Sequence, residues 1–487
     1  MKMFGKLTVT LAALLASASL AQAQSWQALK HKSPINAGAM ALLTDGTVMV
    51  HSEQDNSAVW YKLTPDNRGS YINGNWKKAA SLPTINGTPY LPLYFGIAVL
   101  PDGRLLIEGG EYNNGNAVWT NLGAIYDPAK NAWTAVKPPN AWANIGDAQT
   151  AILNDGTLLL ADCCDYAQAL LKAKKLTWLT TGKGKADWND EEGWTLLPNG
   201  SVLTVDSYVS PGKGKMNSEI YNPKTGKWSS AGSTLVQLWG ESTHGQGPDI
   251  MMTDGTVFCT GANDSGAGHT AIYNSKTGKW SLGPDFPDNL DISDGPGALE
   301  VNGNALVMAS PGVGDVPATF FEWDGNNLNQ VSGPPNASND SSYFGHFLTL
   351  PSGQIMFTDF TNDVEIFAPS GTYQSAWQPT ISSAPSKITR GKSYVIQGTQ
   401  FNGYSQAGFY GDDYQAATNY PLVRIVNNKT KHVFYATTTN PSTMGIQTGS
   451  ATVSTNFFLP KTAEKGASSL YVVANGIPSA AMKVTVQ

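Results

Sequence analysis

The chain has 487 residues, enough for two or three domains with well-buried cores. With 41% hydrophobic residues it can offset the entropy of ordering, which excludes a disordered chain. Only 14% of residues are charged, while 50 glycines, 28 prolines and 10% aromatics accompany short apolar runs, a composition that points to an all-β protein rich in turns.

Lys2 and Lys6 precede the apolar run Leu7–Leu15, and Ala21-Gln22-Ala23 is a small-x-small cleavage site. The sequence therefore predicts a signal peptide over residues 1–23 and an exported chain, secreted or periplasmic, beginning at Gln24. No later apolar run approaches the length of a membrane-spanning helix, so no membrane span is expected. The whole chain carries a formal net charge of −6, and losing Lys2 and Lys6 makes the mature chain more acidic still. Such a surface repels a polyphosphate backbone, which argues against nucleic acid as a partner. The 3 cysteines show neither a disulfide framework nor zinc spacing. Cys259, within Thr256-Val257-Phe258-Cys259, reads as a buried thiol. Cys163-Cys164 allows a vicinal disulfide, but two free, partly buried thiols are the simpler expectation.

A repeat follows, with a period near fifty. Apolar runs flank turns at Asp45-Gly46, Asp102-Gly103, Asp155-Gly156, Asn199-Gly200, Asp254-Gly255, Asn302-Gly303 and Ser352-Gly353. Asx-Gly supplies the positive φ of a two-residue hairpin, so each pair of runs forms strands a and b of one unit. Strands c and d follow where Tyr126 precedes Trp133, Tyr221 precedes Trp228 and Tyr273 precedes Trp280; Trp76, Trp178 and Trp377 take related places. Four strands in each of seven units predict a seven-bladed kelch-like β-propeller over residues 24–380, with Ser25–Leu29 as the fourth strand of the last blade. Beyond it, strand-like runs from Ser393 to Ala474 predict a C-terminal immunoglobulin-like (early-set) β-sandwich over 381–487.

A leader, seven kelch-like units, Glu108-Gly109-Gly110 and the ending Leu470–Ser479 together resemble the galactose oxidase and glyoxal oxidase family. The resemblance covers the mature chain from about residue 25 and implies copper on the propeller axis. It also implies a blade-two cysteine cross-linked to a blade-three tyrosine, a Tyr-His pair from blade seven, and a second histidine from a C-terminal hairpin. The positions nine before each turn glycine are Ala37, Tyr94, Asp147, Glu191, Gln246, Asp294 and Phe344. Tyr94 and Asp147 thus stand at the cross-link positions, blade seven reads Tyr343-Phe344, and the hairpin expected at Gly411–Pro421 has no histidine but offers Asn419 or Tyr420 near the ligand place. Without those groups the family's copper site cannot assemble.

What remains is an acidic upper face. Strand-a starts place Asp147, Asp190, Glu191, Glu192 and Asp294 there, and b–c loops add Glu53, Asp55, Glu108, Glu111, Asp162, Asp165, Asp206, Asp264, Asp359 and Asp363. Tyr94, Tyr208, Tyr343 and Phe344 are interleaved. Asp147, Glu191 and Asp294 are the candidate catalytic carboxylates; Tyr94, Gln246, Tyr343 and Phe344 are the candidate ligand contacts. Carboxylates crowded in a channel share protons or bind a cation such as calcium. His346 and His244 are the candidates for a rearranged metal site, including one for copper. Three functions stay open: binding of an extracellular glycan, polymer or small polyhydroxyl ligand; oxidation of alcohols, aldehydes or sugars at a rearranged metal site; and carboxylate-based glycan cleavage.

Overall fold

The computed structural model describes residues 23–54, 57–140, 142–212, 216–411 and 414–487. The leader segment at residues 1–22 and the rim residue Asp55 lie outside the described residues.

The repeating hairpin is a three-residue connection, one residue longer than the sequence suggested. In the first, Gly46 N–H bonds to Leu43 O at 2.9 Å and Leu43 N–H bonds to Thr47 O at 2.7 Å, leaving Thr44, Asp45 and Gly46 as the loop. Gly46 takes a positive φ of 77°, and the Asp45 carboxylate accepts the Thr47 N–H at 3.0 Å. The aspartate caps the turn through its side chain, so only the glycine needs the left-handed region.

Among the described residues, seven antiparallel sheets are built on these hairpins, six of four strands and one, in blade six, of four strands plus a fifth from later in the chain. Their inner strands are Ala37–Leu42, Gly96–Val99, Thr150–Ile152, Thr195–Leu196, Gln246–Met251, Gly297–Leu299 and His346–Thr349, blades one to seven. Each inner strand packs against the next, and the seventh packs against the first, so the ring closes as a β-propeller. Ser25–Ala28 pairs antiparallel with Glu365–Ala368 and is the outermost strand of blade seven.

Tryptophans tie most blades to the one before. Trp133 Nε1 donates to Ala80 O at 2.9 Å, Trp178 to Lys137 O at 2.7 Å and Trp280 to Ala231 O at 3.1 Å. Trp76 reaches His31 O at 2.9 Å, and Trp26 reaches Ser332 O at 2.6 Å. Trp377 does not belong to this set. It ends the short 3-10 turn Ser375–Trp377 and packs on the blade-six turn at Gly303. The fourth strand of blade seven already comes from the chain start, and Trp26 fills the place.

From Thr380–Ser383 onward, nine strands form one continuous sheet, and strands from both of its ends feed a separate core containing Ile388, Ile396, Phe457, Val472 and Val484. One excursion leaves this unit. Gly408–Phe409 pairs with Gly297 and Ala298 on the axial side of blade six. Met40 N–H donates to the Tyr414 hydroxyl at 2.5 Å, and the Tyr420 hydroxyl donates to Leu42 O. A Cβ on Gly193 would come within 2.7 Å of Gly411 O, so this segment enters the ring and packs on its inner strands.

If the tryptophan bonds hold the blades in register, Trp133→Phe should lower the thermal midpoint slightly, by the worth of one hydrogen bond, about 1 kcal/mol. Trp133→Ala should cost about 3 kcal/mol through lost packing on Trp60 and Tyr126. Differential scanning calorimetry of the two variants checks the order; equal midpoints for both and wild type would contradict it.

Candidate functional site

The site is built by repetition. Tyr94, Asp147, Glu191 and Asp294 lead into the inner strands of blades two, three, four and six, and all four side chains line one small axial cavity. Glu111 from a blade-two loop, Tyr343 from blade seven and Tyr410 from the C-terminal excursion complete the wall. Tyr94, Glu191 and Asp294 each adopt a positive φ, of 52°, 57° and 53°. A left-handed backbone is unfavourable for such residues and is kept only where the surrounding structure enforces it.

The cavity measures about 60 Å³, room for a few waters, a cation or the terminal group of a ligand, and far below the size that engulfs a whole small molecule. The hydroxyls of Tyr94 and Tyr343 lie 2.7 Å apart. The Tyr410 hydroxyl donates to Tyr343 O at 2.8 Å. Burial raises the pKa of Tyr343, which keeps it a neutral phenol. Asp147, Asp190 and Glu191 each offer an oxygen within 4.8 Å of the others. Asp190 accepts a hydrogen bond from the Tyr208 hydroxyl, and burial raises its pKa despite that bond.

Cys163 and Cys164 correct the preference for free thiols: their sulfurs are joined as a vicinal disulfide. The pair sits against Asp190, whose Oδ1 lies 3.4 Å from the Cys163 sulfur and 3.2 Å from that of Cys164. Cys259 is a buried free thiol, with its pKa pushed up by burial and by Asp249.

Four residues singled out in the sequence stand outside this cavity. Gln246 is walled off, its amide donating to Val205 O at 2.8 Å and to Ser207 Oγ at 2.5 Å. Phe344 packs on Tyr343 and Phe360. His346 lines a second, smaller cavity with Glu53, Phe95 and Tyr414, which shares Tyr94 and Tyr410 as walls with the axial one, and it is stacked on the Tyr410 ring at 5.3 Å. His244 is held by Ser207 O at 3.0 Å and sandwiched between Tyr208 and Trp239. The two imidazoles therefore do not converge, because each is packed into its own aromatic environment.

Several rim carboxylates also turn inward. Glu108 is fully buried, facing Gly123, with its pKa pushed well up by burial. Lys185 Nζ sits fully buried in blade four, 2.8 Å from both Glu192 and Glu219 and 3.8 Å from Asp206. Asp359 accepts from Asn336 Nδ2 at 3.0 Å and from Thr361. Asn419 and Tyr420 also miss the cavity, bonding to Met444 O and Leu42 O, and the excursion's contribution is Tyr410.

No family model matches the sequence, and no curated protein matches it. Solved structures do match. A fungal alcohol oxidase of the AA5 family, solved in complex with copper, superposes with a TM-score of 0.51 at 13% identity, covering 96% of this chain and 99% of that one. Virginiamycin B lyase from Staphylococcus aureus matches at a TM-score of 0.46 and 8% identity, covering 71% of this chain and 100% of that one. The first likeness shows a shared β-propeller fold and no more. Against the copper site that the sequence resemblance implies, the residues present do not fit. The cavity gathers oxygen donors, and neither His346 nor His244 lines it. Oxygen donors suit a hard cation such as calcium.

His346 yields a pH signature. Burial lowers its pKa to about 4 from an ordinary 6.5. The unfolded chain then binds a proton below pH 6.5 that the folded chain refuses until about pH 4, so stability should fall across that window as pH drops. The loss should approach about 3 kcal/mol. Urea unfolding at pH 7 and pH 4.5 should show it shrink in His346→Gln; an unchanged pH dependence would remove His346 as its source.

Proposed function

We propose that this is an exported protein, a propeller over residues 24–380 joined to an immunoglobulin-like sandwich over 381–487, that binds an extracellular glycan or polyhydroxyl polymer at the axial cavity. One observation carries the reading: four carboxylates, Glu111, Asp147, Glu191 and Asp294, and three phenols, Tyr94, Tyr343 and Tyr410, meet in a space of about 60 Å³. Carboxylates accept hydrogen bonds from sugar hydroxyls, and aromatic rings cover the apolar faces of sugar rings. The small volume admits only one end or one hydroxymethyl arm of the ligand, with the rest lying across the rim.

A cation-assisted form of the same reading is favoured by Asp147, Asp190 and Glu191, whose oxygens come within 4.8 Å of one another. A calcium ion there would orient ligand hydroxyls through its own coordination sphere.

Isothermal titration calorimetry with neutral oligosaccharides, with and without calcium, tests both forms. Asp147→Asn and Glu191→Gln should each weaken binding about tenfold or more, the worth of one charge-assisted hydrogen bond. Unchanged affinity in both variants would overturn the reading. A calcium requirement that disappears in Asp147→Asn would favour the cation-assisted form.

A further inference from the structure

Beside the axial cavity, one arc of the rim carries an exposed run of aromatic rings. Tyr166, Trp188 and Tyr208 are 47%, 42% and 40% exposed. They come from three separate segments: a blade-three loop, the connection into blade four and a blade-four loop. The rings are nonetheless fixed against each other. Trp188 Nε1 donates to the Tyr166 hydroxyl at 2.6 Å, with the two rings edge-on at 6.3 Å. Trp188 and Tyr208 are tilted at 5.6 Å, and Tyr208 stacks on His244 at 3.9 Å. His244 in turn rests on the buried Trp239 at 5.0 Å. Leaving so much ordered aromatic surface in water is unfavourable, and rigid aromatic surface is well suited to capture a ligand at little entropic cost.

Polar groups flank the run on its axial side. Asp190 binds the Tyr208 hydroxyl and also lies within 4.8 Å of the Asp147 and Glu191 oxygens. Asp190 therefore joins the aromatic arc to two of the carboxylates that wall the axial cavity. An exposed run of rings flanked on one side by carboxylate acceptors matches a sugar whose hydroxyls are all equatorial. In such a pyranose the axial C–H bonds form flat apolar faces for stacking while the hydroxyls point sideways to carboxylates.

We propose that Tyr166, Trp188 and Tyr208 form an extended subsite for the body of a neutral, linear β-1,4-linked glucan, whose end enters the axial cavity. The inference rests on the glycan reading above and adds to it a polymer class and a chain-length dependence. Each ring covered should strengthen binding by up to about tenfold, so a longer chain binds more tightly than a dimer.

The test titrates the full mature protein with cellobiose, cellotetraose and cellohexaose by calorimetry, with polygalacturonate as an anionic control. Wild type should gain at least about tenfold in affinity from dimer to hexamer. Trp188→Ala and Tyr166→Ala should flatten that gain and leave the dimer affinity unchanged, while Trp188→Phe should keep most of it. Both positions are exposed, and an unchanged thermal midpoint verifies that the variants fold. A chain-length gain that survives Trp188→Ala, or tighter binding of polygalacturonate, would overturn the subsite while leaving the axial reading standing. No binding of any cello-oligosaccharide, with other neutral oligosaccharides still bound through Asp147, would overturn only the polymer class and its subsite. Loss of all oligosaccharide binding would overturn both.

Discussion

Closure of the ring is the constraint on which everything else rests. Each blade presents its inner strand to the axis, and the seventh inner strand must meet the first for the sheet edges to be covered. The chain achieves this by lending Ser25–Ala28 to blade seven, so that both ends of the propeller sequence share one sheet. The indole hydrogen bonds between successive blades then hold the wedge angle. Once the ring is closed, the heads of the inner strands have nowhere to go but toward one another. Asp147, Glu191 and Asp294 are close because the ring is closed, and the energetic cost of crowding them is borne by the packing of the whole ring.

The C-terminal excursion finishes the hub. Tyr410, Tyr414 and Tyr420 reach from the second sheet system into the ring and attach to blades one and seven through their hydroxyls. Phenols suit this place. They fill a channel that would otherwise expose backbone, and their single polar atom finds a carbonyl or amide partner. The same excursion separates His346 from the axial cavity by putting the Tyr410 ring between the imidazole and the pocket that Tyr410 lines. Where the copper enzymes of similar fold are implied to use imidazoles, this chain has packed aromatic rings.

Much of this was legible in the sequence, because the signal repeats. Seven turn glycines set the frame, and counting nine residues back from them picked out Tyr94, Asp147, Glu191 and Asp294, which do share a cavity. The same count failed at Gln246 and Phe344, where neighbouring side chains, Ser207 for one and Phe360 for the other, draw the residue away from the axis. Glu108, Glu192 and Asp206 read as rim carboxylates but turn into the blades. The alternation of faces stops where a strand runs into a loop, and no local pattern marks Lys185 as the partner of Glu192 and Asp206. Tyr410 escaped because its place depends on a long-range pairing of Gly408–Phe409 with blade six, which no local pattern announces. The vicinal disulfide was among the open readings, and composition alone could not select it.

The central claim is that the hub is an oxygen-lined, acidic cavity without a two-imidazole metal centre. Electron paramagnetic resonance of the chelator-treated mature protein titrated with Cu²⁺ tests this most directly. The expected result is no stoichiometric copper signal carrying hyperfine structure from two imidazole nitrogens, and no tyrosyl radical on oxidation. A one-to-one signal with two coupled nitrogens, lost in His346→Gln and accompanied by peroxide release from an alcohol, would contradict it.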